Sequence, residues 1–233
     1  MQAVIFAGGL ATRLGEVTRK IPKSMVTIAG RPFLEYQLEF LKENRIDDVV
    51  LCVGHLGEQI ESYFGDGSKY GIRMRYSYEQ GQLLGTGGAL KNSAALLDDV
   101  FFTLYGDSYV SLDFPAVMSF FRKFDKLALM TIFKNYGRYD KSNIAVGGDL
   151  VRQYGSAGPE KELIYIDYGV SLFRKEALDM VPAGVPSALG DLFHQLIENK
   201  QLLAYEADQR FYQIGSHEGL QEFRELIEGK MKK

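Results

Sequence analysis

Two kinds of hydrophobic pattern alternate along the first hundred residues of this chain. One is the short continuous apolar run, and the other is the apolar stripe at helical spacing. Val4 to Ala7 is an apolar run ended by Gly8-Gly9, which predicts a buried strand entering a turn. Pro32 then precedes Phe33 to Leu41, where Phe33, Tyr36, Gln37, Phe40 and Leu41 share one helical face. Proline is favourable at a helix start, so a helix is expected there. Val49 to Val53 predicts a second buried strand, Leu56 to Phe64 a helix, and Ile72 to Tyr76 an alternating strand. Gly85 to Leu97 reads as a glycine-rich loop running into a helix, and Phe101 to Tyr105 as a strand closed by Gly106-Asp107. Strands alternating with helices imply βαβ units and a mostly parallel sheet. Ligands of such sheets bind beyond the carboxyl ends of the strands. Gly8-Gly9 and Gly106-Asp107 both stand at such ends, so the sheet aims them at one rim.

The later pattern is less regular. Phe114 to Phe124 predicts a helix and Leu127 to Phe133 a strand. Asn143 to Val146, Leu150 to Tyr154 and Ile164 to Phe173 read as strands, and Lys175 to Val181 and Leu189 to Asn199 as helices. Leu202 to Glu206 and Phe211 to Ile214 are short strands, and His217 to Glu228 is an amphipathic helix. No repeat, low-complexity tract or linker interrupts them. The 233 residues are therefore expected to form a single domain over 1–233.

A formal net charge of −3 offers no basic field, so no nucleic-acid partner is expected and a polyanionic substrate must meet local cations. Cys52 stands alone, which rules out an intramolecular disulfide; its apolar run marks it as a buried small hydrophobe. No apolar run reaches the roughly 18 residues that span a bilayer, and the N-terminus lacks the basic start of a signal peptide. A soluble, cytoplasmic protein with no membrane partner is the expectation.

Two segments carry candidate chemistry. In Ala7-Gly8-Gly9-Leu10-Ala11-Thr12-Arg13-Leu14, paired glycines let backbone N–H groups approach a phosphate, and Arg13 adds a cationic fork. The segment is not a P-loop, because no Gly-Lys-Ser/Thr follows, and a dinucleotide fingerprint would need a third glycine. Pro22 fixes the backbone before Lys23, a second positive charge ten residues after Arg13. Histidine pairs at metal-ligand spacing are missing, which argues against zinc.

Taken in order, these segments resemble the sugar-phosphate nucleotidyltransferase family. The resemblance runs through Ala7-Gly8-Gly9, Thr12-Arg13-Leu14, Pro22-Lys23-Ser24-Met25 and Ile28 to Leu34. It continues at Glu79, Leu84-Gly85-Thr86-Gly87-Gly88-Ala89, Tyr105-Gly106-Asp107 and Tyr212 to Leu220, and so covers nearly the whole chain. Heptose 1-phosphate guanylyltransferases and N-acetylmuramate 1-phosphate uridylyltransferases are the subgroups it most resembles. The resemblance implies an α/β, Rossmann-like three-layer sandwich with a mixed, mostly parallel central sheet, of the nucleotide-diphospho-sugar transferase type. Residues 1–110 would form the nucleotide-binding half and 111–233 the sugar-phosphate half, with an antiparallel excursion over the site. The implied reaction transfers a nucleoside monophosphate from GTP, UTP or CTP to a sugar 1-phosphate and releases pyrophosphate. A homo-oligomer is left open.

The implied roles follow residue by residue. Ala7, Gly8, Gly9, Thr12, Glu79, Gly85, Thr86, Gly87 and Gly88 would form the nucleotide pocket. Arg13 and Lys23 would hold the triphosphate and the attacking phosphate. Asp107 would bind Mg²⁺. Tyr139, Asn143, Tyr168, Gly169 and Asp191 would line the sugar site. The pattern departs from the family at Gln213, where the second metal carboxylate, an aspartate, usually stands. Asp167 and Asp208 are other carboxylates within reach of the rim. Three rivals remain: a nucleotide-binding regulatory protein without catalysis, a uridylyltransferase for N-acetylmuramate or another hexose 1-phosphate, and an enzyme with a phosphorylated alcohol such as phosphocholine as acceptor. A nicotinamide-dependent dehydrogenase is disfavoured, since no acidic residue follows the glycines at the required strand end.

Overall fold

The computed structural model describes residues 1–9, 20–79, 81–155 and 163–231. The first half runs β1 (Gln2–Phe6), β2 (Thr27–Ile28), β3 (Arg31–Pro32), α1 (Phe33–Glu43), β4 (Asp48–Val53), α2 (Gly57–Phe64), β5 (Arg73–Tyr78), α3 (Gly85–Asn92) and β6 (Val100–Tyr105). The second half runs β7 (Ser108–Tyr109), α4 (Phe114–Phe121), β8 (Ala128–Lys134), β9 (Ile144–Gly147), β10 (Leu150–Tyr154), β11 (Tyr165–Arg174), α5 (Leu189–Glu198), β12 (Leu202–Ala207), β13 (Tyr212–Gln213) and α6 (His217–Met231).

Among the described residues, nine strands form one sheet in the order β5-β4-β1-β6-β11-β8-β12-β10-β9. The pairings β5–β4, β4–β1 and β1–β6 are parallel, as βαβ units require. Beyond β6 the sheet changes character. β11 runs antiparallel to both β6 and β8, β12 returns parallel to β8, and β10 and β9 close the edge antiparallel. Parallel pairing thus dominates the first half only, because connections there cross over through helices whereas β9 and β10 are joined by a short turn.

Alternation along each strand sends side chains to both faces. Ala3 and Ile5 pack with Leu34, Leu38, Ile60, Phe64, Val117 and Phe121, so α1, α2 and α4 cover one face. Val4, Val50 and Phe101 pack with Leu90, Leu189, Phe193 and Leu196, so α3 and α5 cover the other. The α/β, Rossmann-like architecture is therefore present with helices on both faces.

A third apolar cluster positions the rim. Phe223 of α6 is fully buried with Phe33, Tyr36, Val26, Ile28 and Ile214. Its ring lies edge-on to Phe33 at 5.1 Å and to Tyr36 at 5.7 Å. This cluster fastens the terminal helix, the segment after Lys23 and the closing segment around Ile214 to the start of α1. Ala29 and Gly30, with φ of 47° and 82°, turn β2 into β3 as hairpin turns of positive φ do.

Several elements differ from the sequence expectation. The helix from Gly85 stops at Asn92 and is followed by a 3₁₀ turn over Ala94–Leu96. Lys175–Met180 is 3₁₀ rather than α. The expected strand at Phe211 to Ile214 shrinks to Tyr212–Gln213, paired with β7.

Candidate functional site

The carboxyl ends of β1, β4 and β6 open onto a cleft. Its first compartment is lined by Phe6, Gly8, Gly9, Cys52, Glu79, Leu83, Gly85, Thr86 and Ala89 and is mostly apolar. Gly8 and Gly54 leave room for Glu79: a Cβ at Gly8 would sit 3.1 Å, and one at Gly54 2.8 Å, from Glu79 Oε2, so the carboxylate would have to shift. Glu79 Oε1 accepts the Leu84 N–H at 2.7 Å, which ties the glycine-rich segment to the end of β5. Burial raises the Glu79 carboxyl above its ordinary range. Burial also pushes the Cys52 thiol up to about 12, so it is a protonated apolar wall and no nucleophile.

Phe6, Gly9 and Thr86 lead from this compartment into a second, which adds Ala7, Lys23, Ser24, Tyr105, Gly106 and Asp107. Lys23 Nζ donates to Asp107 Oδ2 at 2.8 Å, and the two side chains are 18 and 26 % exposed. Gly106 lets the chain pass within contact of β1, since a Cβ there would lie 2.6 Å from Phe6 O. The buried Gln37 donates from Nε2 to Tyr105 O at 2.9 Å and to Ser108 O at 2.7 Å, bracing the Asp107 turn from both sides. The closing segment braces it from above: Ile214 N–H donates to Asp107 O at 2.9 Å, and a Cβ at Gly215 would lie 3.3 Å from Asp107 Oδ2. Ser24 is 2 % exposed, lines this compartment, and has a hydroxyl without a hydrogen-bond partner among the described residues.

Tyr105 and Asp107 pass into a third compartment lined also by Ser108, Asp140, Asn143, Tyr154, Ile166, Asp167, Tyr168, Gly169, Phe211 and Gln213. Gly169, at φ 90°, sits where β11 loses register with β8 between Asp167 and Ser171. That irregularity keeps Asp167 at the groove, where its Oδ1 accepts the Gly169 N–H at 2.8 Å. Burial pushes the Asp167 carboxyl up to about 6. Asn143 Oδ1 accepts the Asp167 N–H at 3.4 Å. Asp107 and Gln213 both line this groove, and a carboxylate and an amide oxygen are donors of the kind that could hold Mg²⁺ together with nucleotide phosphates and water.

A model of the family described as nucleotidyl transferase matches residues 2–143, which carry both glycine segments, Lys23 and Asp107. This chain belongs to the nucleotidyl transferase family. It is 34% identical over 218 residues to the UTP–glucose-1-phosphate uridylyltransferase of Synechocystis, covering 85% of this chain and 56% of that protein. It is 30% identical over 194 residues to the D-glycero-alpha-D-manno-heptose 1-phosphate guanylyltransferase of Campylobacter jejuni, covering 83% and 78%. The chain thus spans just over half the length of the first relative and over three quarters of the second. Its fold matches the crystal structure of HddC from Yersinia pseudotuberculosis with a TM-score of 0.79 at 24% identity, covering 97% of this chain and 99% of that one.

Not every expected residue of this nucleotidyl transferase reaches the cleft. Thr12 and Arg13 lie outside the described residues. Ala7 lines the middle compartment, but its N–H is spent on Cys52 O at 2.8 Å. Gly85 and Thr86 line the first compartment, and the Thr86 hydroxyl accepts the Leu189 N–H at 2.8 Å. Gly87 and Gly88 face away: both N–H groups donate to Ser187 O, and a Cβ on either would strike the 185–188 segment. They are packing glycines. Tyr168 borders the groove but is fully buried, and its hydroxyl is already engaged, accepting from Ser111 N–H at 3.0 Å and donating to Ser111 O at 2.9 Å. Asp191 is exposed and accepts the Ala188 N–H at 2.9 Å, so it caps α5 and lines none of the three compartments. Tyr139 lines an adjoining depression, its ring 4.3 Å from the Arg210 guanidinium, while Asn143 and Gly169 do line the groove. Of the two spare carboxylates, Asp167 is at the groove and Asp208 is exposed outside it. Sequence reasoning missed Ser24, Tyr105 and Tyr154 as lining residues. A lone Asp two residues before a Gly inside the apolar strand Tyr165–Arg174 was the available signal for Asp167.

Proposed function

We propose that this chain transfers a nucleoside monophosphate from an NTP to a sugar 1-phosphate, giving an NDP-sugar and pyrophosphate. The observation that carries the reading is the Lys23–Asp107 pair standing between a mostly apolar compartment and a polar groove. In the proposed step, an oxygen of the acceptor phosphate forms a bond to the α-phosphorus. The bond from that phosphorus to the oxygen bridging to the β-phosphate breaks, and pyrophosphate leaves with the electron pair. Such a transfer needs alignment and neutralised charge more than covalent help.

Residues 1–110 supply the base compartment through Gly8, Gly9, Glu79, Gly85 and Thr86. Lys23 holds phosphate oxygens once a ligand draws it from Asp107, and Ser24 offers its free hydroxyl beside it. Asp107, with the Gln213 amide oxygen, would hold Mg²⁺, which neutralises phosphate charge when bound. Residues 111–233 contribute most of the acceptor groove. Arg13 keeps the phosphate-binding role that its place in the motif implies.

The relatives are named as a UTP-using uridylyltransferase and as a guanylyltransferase, and a heptose 1-phosphate guanylyltransferase-like activity is the leading form of the proposal. Pyrophosphate release is the test, measured with the four NTPs against glucose 1-phosphate, N-acetylmuramate 1-phosphate and D-glycero-D-manno-heptose 1-phosphate in Mg²⁺. Turnover of at least one pair is expected. Tight NTP binding without release in any combination would instead favour a regulatory nucleotide-binding protein, the reading that Gln213 motivates.

A further inference from the structure

The charge of the acceptor groove is one-sided. Its lining includes Asp107, Asp140 and Asp167, and no lysine or arginine among the described residues. Asp107 already has Lys23, and Asp140 Oδ1 accepts the Lys141 N–H at 2.7 Å. Asp167 differs from both. No cationic side chain among the described residues pairs with it, and its one hydrogen bond as acceptor comes from the Gly169 main chain. It stands among aromatic walls, with Tyr105, Tyr154 and Phe211 sharing the groove. The high hydroxyl pKa of Tyr105 and Tyr154 reflects burial first and then the nearby Asp167 charge. Both phenols therefore stay protonated.

A ligand entering this groove must satisfy an anionic oxygen that has no counter-ion among the described residues. Hydroxyl and ammonium donors do so. A carboxylate or second phosphate would face Asp167 at close range in a partly desolvated pocket, and unpaired like charges there are costly. The acceptor's own phosphate escapes this conflict because it belongs at the other end, beside Lys23.

We propose that Asp167 reads the charge of the acceptor, admitting phosphorylated acceptors whose far end is a neutral or cationic hydrogen-bond donor and rejecting those that carry a second anionic group. This assignment rests on the nucleotidyl-transfer reading of the site. Asp167 acts as a specificity-determining residue, fixed in place by the Gly169 N–H and by Asn143 on its own main chain.

Three acceptors on one hexose frame test it: glucosamine 1-phosphate, glucose 1-phosphate and glucuronic acid 1-phosphate. The expected order of kcat/KM is amine at least equal to hydroxyl, and each at least about tenfold above the carboxylate. Asp167→Asn keeps the oxygen that accepts from Gly169 and should collapse the order by raising glucuronic acid 1-phosphate toward the others. Equal efficiency of all three in the parent, or an unchanged order in the variant, overturns the role of Asp167 while leaving the transfer reading intact. Absence of pyrophosphate release with every NTP and acceptor overturns the transfer reading instead. In that event, calorimetric titration of the same three sugar phosphates into the parent protein, with Mg²⁺ and a non-hydrolysable GTP or UTP analogue, still decides. Weakest binding by glucuronic acid 1-phosphate supports the proposal, and equal or strongest binding by it refutes it. The parent ranking does not depend on whether the variant folds.

Discussion

Lys23 and Asp107 neutralise each other before any ligand arrives. Lys23→Ala removes a phosphate partner and leaves Asp107 unpaired, so kcat/KM should fall by about a hundredfold or more with the melting temperature little changed. An activity within about threefold of the parent would remove Lys23 from the proposed site. At Gln213, Gln213→Asp restores a carboxylate beside Asp107 and should lower the Mg²⁺ concentration at half-maximal rate. Gln213→Glu serves as the control for reach, and unchanged metal dependence in both would place Gln213 away from the metal. Asp167 yields a stability prediction as well. Burial holds its folded pKa at about 6, above the ordinary carboxylate value. A raised acid pKa means the folded state binds the proton more tightly, so ionisation costs stability above about pH 6 and that cost fades as pH falls toward 4. Asp167→Asn should therefore raise the melting temperature more at pH 8 than at pH 5, as read by calorimetry. An equal shift at both pH values would mean that Asp167 is not desolvated.

At the scale of elements, α3 depends on close contact with the segment before α5. A Cβ at Gly87 would lie 2.8 Å from Ala188 O, and one at Gly88 would lie 2.9 Å from Leu84 Cβ and Val185 O. Gly87→Ala should push these segments apart and destabilise the protein by about 1–3 kcal/mol, a typical overpacking cost. A drop in melting temperature checks it, and a loss of NTP affinity should accompany it because Gly85 and Thr86 move with the helix. The contact also explains what the sequence could and could not reveal. β1, β4 and β6 were legible because buried parallel strands are apolar on both faces, so burial is written into their composition. Asp107 was legible at the end of β6, and Lys23 as the residue that Pro22 fixes. The inward turn of Gly87 and Gly88 was not, because their partner Ser187 lies a hundred positions away and no local pattern encodes it. The partner of the Tyr168 hydroxyl was hidden for the same reason: only the tertiary structure reveals Ser111 waiting for it. β2, β3, β7 and β13 are two residues each and leave no periodicity to find.

Across the whole molecule, the last helix is part of the site's framework though it lines the cleft little. Phe223 is fully buried against Phe33, Tyr36 and Ile214. Phe223→Ala should cost about 3–5 kcal/mol and should also lower kcat/KM in the fraction that stays folded, because the supports of Lys23 and Asp107 both rest on this cluster. Urea melts paired with rates normalised to folded protein separate the two effects. A variant that is destabilised but fully active per folded molecule would show that the cluster only stabilises. The sheet itself has a seam between β6 and β11, where the parallel half meets the antiparallel one. Residues of the first compartment lie on one side of it and most residues of the third on the other, with Tyr105 and Asp107 at the boundary. Substitutions that retune one substrate therefore fall on different strands from those that retune the other. On the proposed reading, the acceptor can be retuned by substitutions beyond β6 that leave the residues proposed to hold the nucleotide untouched.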